Sequence, residues 1–376
     1  MKSSERYGGR LTIDLDAVGA NYRLLKARGA PAECAAAVKA DAYGLGMARV
    51  APALRNAGCR TFFIATLDEG LDLRALLPDA RIYVLNGLPP GEEATFLEYG
   101  LSPVLNTLGQ IEAWTSFALS KDAALPPAAI HTDTGMNRLG LPSDEVDALF
   151  ERPDLLENCP FDLVMSHLAC AEERSNPMNR DQCEKFAALV KRFPGKRASL
   201  ANSAGVFLGA PFHHDLTRVG ISVYGGAPIL NEPNPMAEVI HLQGRIVQTR
   251  FVDSPMTVGY GATHSFKKRT RLATVALGYG DGYIRSASNQ AYGCIQGVRV
   301  PVVGRVSMDL ITLDVSAADP VLSEPGNFID LVGHGADLDD IARRAGTISY
   351  ELLTNLGPRY ERIYIGDGSL AGEARS

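Results

Sequence analysis

The sequence predicts an α/β protein: an N-terminal (β/α)8 TIM-type barrel followed by a smaller, mostly antiparallel β domain. Three observations predict it: eight short apolar runs alternating with helical patterns, a proline-rich break at Pro228–Pro235, and long alternating segments beyond that break. The first element is Arg10–Leu15, where Leu11, Ile13 and Leu15 alternate as in a strand with one buried face. A helix follows, with Asp16 expected at its N-cap and Val18, Tyr22 and Leu25 along one side. The eight runs are Cys34–Val38, Thr61–Ala65, Arg81–Leu85, Leu101–Leu105, Ala128–Thr132, Phe161–Ser166, Arg197–Leu200 and Leu216–Val219. Helices are expected between them. Thr66 with Glu69 forms a capping box, and Asn106 and Ser143 are expected N-caps. Eight such units are the count of a barrel. A doubly wound open sheet gives a similar rhythm, and pattern alone leaves both open. Past the break, Val239–Phe251, Arg271–Leu277, Gly293–Val303 and Leu310–Val315 predict strands. The expected domains are 10–232 and 233–376, with the N-terminal strand near 1–15 a candidate to join the second.

Composition narrows the function. Across 376 residues, 46% are hydrophobic and 21% charged, which is globular and not disordered. A net charge of −6 argues against a nucleic-acid or acidic-membrane surface, whose footprint would be basic. No apolar run approaches the roughly 18 residues of a membrane span. The six cysteines form no CxxC pair and no dense framework, so a cytoplasmic location is expected.

Chemistry is concentrated at one end of the expected barrel. Among the lysines, only Lys39 follows an apolar run (CAAAV) and precedes a turn-like segment. An amine there, partly desolvated, has a lowered pKa and can form a Schiff base. The plain alternative is a strand-end lysine reaching to water. Ser203 follows the seventh strand and Gly220-Ile221 the eighth, where barrel enzymes often bind phosphate. Arg218 and His167 end strands eight and six on the same rim.

On these residues the sequence resembles the alanine racemase family, which depends on pyridoxal 5'-phosphate. The motifs AVKADAYGLG (37–46), TGMNRLG (134–140), SHLACAEE (166–173), LANSAG (200–205) and RVGISVYGG (218–226) occur in the family's order. VGYGATHSF (258–266), GYGDGY (278–283), VGRVSMD (303–309) and TISYELL (347–353) continue it through the second domain. The resemblance implies that Lys39 carries the cofactor and that Tyr43, Ser203, Gly220, Ile221 and Tyr350 hold its phosphate. It implies Arg218 opposite the pyridine nitrogen, supported by His167. Arg138 would contact the cofactor's phenolic oxygen and the substrate carboxylate. Tyr260 would be the second base, and the Met308 N–H would bind the carboxylate. The expected reaction interconverts L- and D-alanine, supplying D-alanine for bacterial peptidoglycan. The expected assembly is a homodimer in which Tyr260 and Met308 serve the partner's site. No metal is expected.

Other readings are weaker. A racemase of other or broader amino-acid range shares every motif. A fold-related amino-acid decarboxylase would place a carboxylate where Arg218 stands. A non-catalytic pyridoxal-phosphate carrier would lack the second domain. Ala201–Gly205 lacks the first glycine of a serine-hydrolase elbow, and His213-His214-Asp215 lacks the spacing of a helical zinc pair. One departure stands out. Many family members carry a carbamylated lysine where this sequence has His131. Either a neutral His131 accepts a hydrogen bond from Arg138, the favoured version, or an anion such as chloride bridges the two. Both exclude a carbamate there and any dependence on bicarbonate.

Overall fold

The computed structural model describes residues 7–121 and 124–369, in which two eight-stranded sheets organise the chain. Residues 1–6 of the expected N-terminal strand region and residues 370–376 of the expected second domain lie outside the described residues. Strand β1 (Gly9–Asp14) precedes the barrel strands β2 (Glu33–Ala37), β3 (Thr61–Ile64), β4 (Arg81–Val84) and β5 (Ser102–Leu105). The barrel continues with β6 (Ala128–His131), β7 (Phe161–Met165), β8 (Arg197–Ser199) and β9 (Leu216–Val219). Each of the eight apolar runs carries one of these strands.

All ladders from β2 to β8 are parallel, and β2 also pairs in parallel with β9. First and last strands are therefore neighbours, which is the topology of a barrel and not of a doubly wound sheet. Between β8 and β9 the closure is irregular. Asp215 N–H donates to Ala198 C=O at 3.0 Å, and Arg218 N–H to Ala201 C=O at 2.9 Å. The strands are buried along nearly their whole length because side chains fill the barrel inside and helices cover it outside.

The second sheet contains β10 (Ile240–Val252), β13 (Thr270–Val275), β14 (Tyr292–Ile295), β15 (Val298–Pro301), β16 (Ile311–Asp314), β17 (Phe328–Val332) and β18 (Glu361–Ile365). A separate hairpin is made by β11 (Thr257–Val258) and β12 (His264–Ser265). The sheet is antiparallel except that β1 lies parallel to β18 on one side while pairing antiparallel with β10 on the other. The N-terminal strand thus stitches the chain's start to its last strand.

Three expected caps are corrected. Asp14, not Asp16, caps the first helix, accepting from the Asp16 and Ala17 N–H groups at 2.9 Å each; Leu15 already belongs to that helix. Thr107, not Asn106, caps Leu108–Leu119 by accepting from Gln110 N–H. Pro142 occupies the N-cap of Ser143–Phe150, so Ser143 is the first helical residue. The Thr66–Glu69 capping box is present as expected. Among the described residues no helix is long and apolar enough to cross a membrane.

Candidate active site

Lys39 stands at the C-terminal mouth of β2, half-buried. Burial lowers its pKa, the Arg138 cation lowers it further, and Glu69 works in the opposite sense. The expected desolvated amine is therefore found. The chain leaves Lys39 by an unusual route: Ala40, Asp41, Ala42 and Tyr43 all have left-handed φ, between 52° and 57°. None is glycine, and each L-residue costs roughly 1–2 kcal/mol in that region. The turn persists because it is held at many points. Ala42 N–H donates to Val38 C=O at 2.8 Å, and Asp41 Oδ1 accepts from Met47 N–H at 2.7 Å. From β18, Arg362 donates to Gly44 C=O at 2.8 Å and the Tyr364 hydroxyl to Leu45 C=O at 2.9 Å.

That turn delivers Tyr43 to the end of β9. The Tyr43 ring packs between Tyr224, 4.6 Å away, and Tyr350, 5.8 Å away. Tyr350 comes from the helix Ser349–Thr354 of the second domain and is 40% exposed, whereas Tyr43 is buried. A Cβ built on Gly220 would lie 2.4 Å from the Tyr43 oxygen, so only glycine fits beneath that hydroxyl. Gly220 N–H donates to Ser203 Oγ at 2.8 Å, and Ile221 opens the short 3-10 turn Ile221–Tyr224. Hydroxyls and backbone N–H groups thus converge where an anion would sit.

Arg218 is buried, and its guanidinium donates only to neutral groups. These are Ser199 Oγ at 2.5 Å, Ser166 C=O at 2.6 Å, His167 Nδ1 at 3.2 Å and Leu200 C=O at 3.4 Å. Burial pulls its pKa down to about 10, so it remains a cation at neutral pH. Because Arg218 donates to Nδ1, the proton of His167 belongs on Nε2. Burial and the neighbouring cations hold this imidazole neutral. Arg138 lies on the exposed loop after β6. Asp133 organises that loop, accepting from the N–H groups of Gly135, Met136 and Asn137 at 2.8 Å each.

His131 differs from expectation. Its Nδ1 pairs with Asn106 Oδ1 at 2.8 Å instead of with Arg138. Burial foremost, with the Arg218 and Arg138 cations adding to it, lowers its pKa to about 4. The ring is neutral, as the favoured version required, but Asn106 is what positions it.

Among the described residues, no contact brings Tyr260 or Met308 to this mouth. They are 72% and 54% exposed, on the loop of the β11–β12 hairpin and on the turn before β16. Around Met308, the N–H groups of Tyr279 and Gly280 donate to the Ser307 and Met308 carbonyls at 3.0 and 2.8 Å. Sequence reasoning missed Asn106 as the partner of His131, Ser199 beneath Arg218, and Tyr224 against Tyr43. Asn106 and Ser199 lie outside the quoted motifs, whereas Tyr224 lies within RVGISVYGG, the one signal that could have drawn attention to it.

The donor set suits pyridoxal phosphate: a desolvated amine, an anion cradle that a single Cβ would fill, and a buried cation facing no carboxylate. Comparison with known proteins agrees over nearly the whole chain. Residues 13–228 and 239–364 match the families described as alanine racemase, N-terminal domain, and alanine racemase, C-terminal domain. The chain is 51% identical over 368 residues to an alanine racemase of Rhodospirillum rubrum, covering 97% of this chain and 98% of that one. A crystal structure of alanine racemase from Bartonella henselae with covalently bound pyridoxal phosphate superposes with a TM-score of 0.91 at 40% identity, covering 95% of this chain and 99% of that one. The biosynthetic alanine racemase of Pseudomonas aeruginosa superposes with a TM-score of 0.89 at 33% identity, over 96% and 100% of the two chains. By these matches, the chain belongs to the alanine racemase family.

Proposed function

We propose that the protein interconverts L- and D-alanine with pyridoxal 5'-phosphate held at the barrel mouth. Lys39 and Tyr260 act as the two bases, in a homodimer in which each subunit lends Tyr260 and Met308 to the other's site. The observation that carries this reading is the convergence of Lys39, Tyr43, Ser203-Gly220 and Arg218 on one rim. Lys39 carries the cofactor covalently; Tyr43, Ser203, Gly220, Ile221 and Tyr350 hold its phosphate; Arg218 faces its ring nitrogen. When bound, the cofactor supplies an electron sink that makes the Cα proton removable.

The chain's own residues then determine the stereochemistry. Once the substrate amine has displaced it from the cofactor, Lys39 Nζ would take or return a proton on one face of Cα, serving D-alanine, and Tyr260 Oη would do so on the other, serving L-alanine. Two bases on opposite faces give inversion in either direction. Arg218, a cation with only neutral partners, donates to the ring nitrogen and opposes its protonation, which moderates the electron sink and suppresses side reactions. Its hydrogen bond to neutral His167 fixes the direction of that donation. Arg138 and the Met308 N–H bind the substrate carboxylate. A cytoplasmic place and a supply of D-alanine for peptidoglycan accord with the acidic charge balance and with the scattered cysteines, which are all free in the structure.

The test is α-proton exchange in deuterated water across a panel of L- and D-amino acids. Exchange and inversion of alanine, with slower turnover of serine and longer side chains, are expected. Unchanged optical rotation of L-alanine with the cofactor-loaded protein overturns the reading.

A further inference from the structure

The mechanism above leaves unexplained what holds the left-handed turn at its first residue, immediately after Lys39. At the far end Arg362 and Tyr364 hold Gly44 and Leu45. At the near end the acceptor is Glu69, from a different βα unit. Its Oε1 accepts the Ala40 N–H at 2.6 Å. Its Oε2 accepts from Ala65 N–H at 2.8 Å and Thr66 N–H at 3.3 Å. A helix-capping glutamate needs only the second oxygen for that duty. The first reaches across from the mouth of β3 to the backbone next to Lys39.

Geometry and charge point the same way. Ala40 φ is 52°, a conformation an alanine keeps only when its surroundings enforce it. The Ala40 N–H direction follows that φ, so the carboxylate that receives it also fixes where Lys39 leaves the backbone. The charged groups acting on the Lys39 amine are Arg138, which disfavours its protonation, and Glu69, which favours it. We propose that Glu69 is a positioning residue for Lys39: its carboxylate, by accepting the Ala40 N–H, locks the start of the left-handed turn and with it the backbone from which Lys39 projects. The proposal rests on the reading of Lys39 as the cofactor lysine.

Two readouts that do not depend on turnover test it. One is the pH midpoint for acylation of Lys39 in the cofactor-free protein, followed by peptide mass spectrometry. The other is the cofactor dissociation constant from equilibrium dialysis. Glu69→Gln is expected to lower the midpoint, since the charge that favours the protonated amine is gone, and to weaken the cofactor about tenfold. Thr66→Ala removes only the hydroxyl side of the capping box and is expected to lower melting temperature while leaving both readouts at parent values. Glu69→Asp keeps the charge but shortens the reach; it should hold the midpoint near the parent's and still weaken the cofactor, and it carries the test if the glutamine variant does not fold. Parent values for either readout in Glu69→Gln, parent cofactor affinity in Glu69→Asp, or the same two changes in Thr66→Ala would overturn the proposal. Borohydride reduction of the loaded parent, mapped by mass spectrometry, separates the two readings: cofactor fixed elsewhere than Lys39 defeats the assignment of the site itself.

Discussion

His131 shows how one side chain's partners decide its charge. Asn106 donates its amide to Leu85 C=O at 3.1 Å and Val104 C=O at 2.9 Å, which orients its oxygen toward the imidazole. Nδ1 of His131 must then carry the proton, and Nε2 is left as the acceptor. With the folded pKa near 4 against an ordinary 6.5, the unfolded chain binds more protons between those values. Stability contributed by the neutral ring is therefore complete above about pH 6.5 and declines as pH falls toward 4. For this group alone the loss from pH 7 to pH 5 is about 2 kcal/mol. Urea unfolding of the parent and of His131→Gln at both pH values checks it. The variant should lose less stability on acidification, keeping the share of the other histidines that burial holds neutral, His167, His214 and His241, which move in the same direction. Equal acid sensitivity in the two proteins would contradict a neutral, desolvated His131.

At the scale of elements, Gly220 and the left-handed turn act as one device, because the turn presents Tyr43 to the space above Gly220. Gly220 φ is −132°, so no positive φ demands glycine there. An alanine Cβ would, however, lie 2.4 Å from the Tyr43 oxygen and 3.2 Å from Cζ. The ring cannot step aside cheaply between Tyr224 and Tyr350. Gly220→Ala is expected to raise the cofactor dissociation constant about tenfold or more and, because the clash is already present without cofactor, to lower the apoprotein's melting temperature by several degrees, changes that dialysis and calorimetry measure. The barrel strands were legible in the sequence because strands buried on both faces read as unbroken apolar runs. The caps were displaced by a residue or two because neighbouring residues, Asp14 with Asp16 and Asn106 with Thr107, share the chemistry of a cap. Tertiary contacts choose between them: Asn106 is turned inward by His131. The sequence marked the segment after Lys39 as turn-like, but the left-handed course of Ala40–Tyr43 was not legible, since no glycine marks its positive φ and distant Glu69, Arg362 and Tyr364 impose it. The motif residues were legible as types, but the Asn106 and Ser199 contacts that orient them depend on strands far apart in sequence.

At the scale of the whole molecule, the proposed dimer would divide the second domain's contribution between two sites. Tyr350 packs against Tyr43 of its own chain. Tyr260 and Met308 are 72% and 54% exposed, and Ile348 and Leu310 are exposed as well, large apolar side chains that a monomer leaves wet. The turn bearing Met308 is nevertheless braced: Arg359 pairs with Asp281 at 2.7 Å and with Asp309 at 2.8 Å. A braced, exposed turn is suited to entering a preformed cleft without first paying for its own ordering. If that cleft belongs to a second copy, a two-fold dimer has two sites, each built from Lys39 of one chain and Tyr260 of the other. Lys39→Ala and Tyr260→Phe homodimers would both be impaired, for different reasons. A hybrid of the two would carry one site with both defects and one with neither. Random exchange of equal amounts makes half of the dimers hybrids, so recovery of about a quarter of parental activity is expected. Sites built within single chains would give no recovery at all, because every site in every mixture would keep its own defect. Racemase assays after subunit exchange, verified by mass spectrometry of intact dimers, distinguish the two architectures.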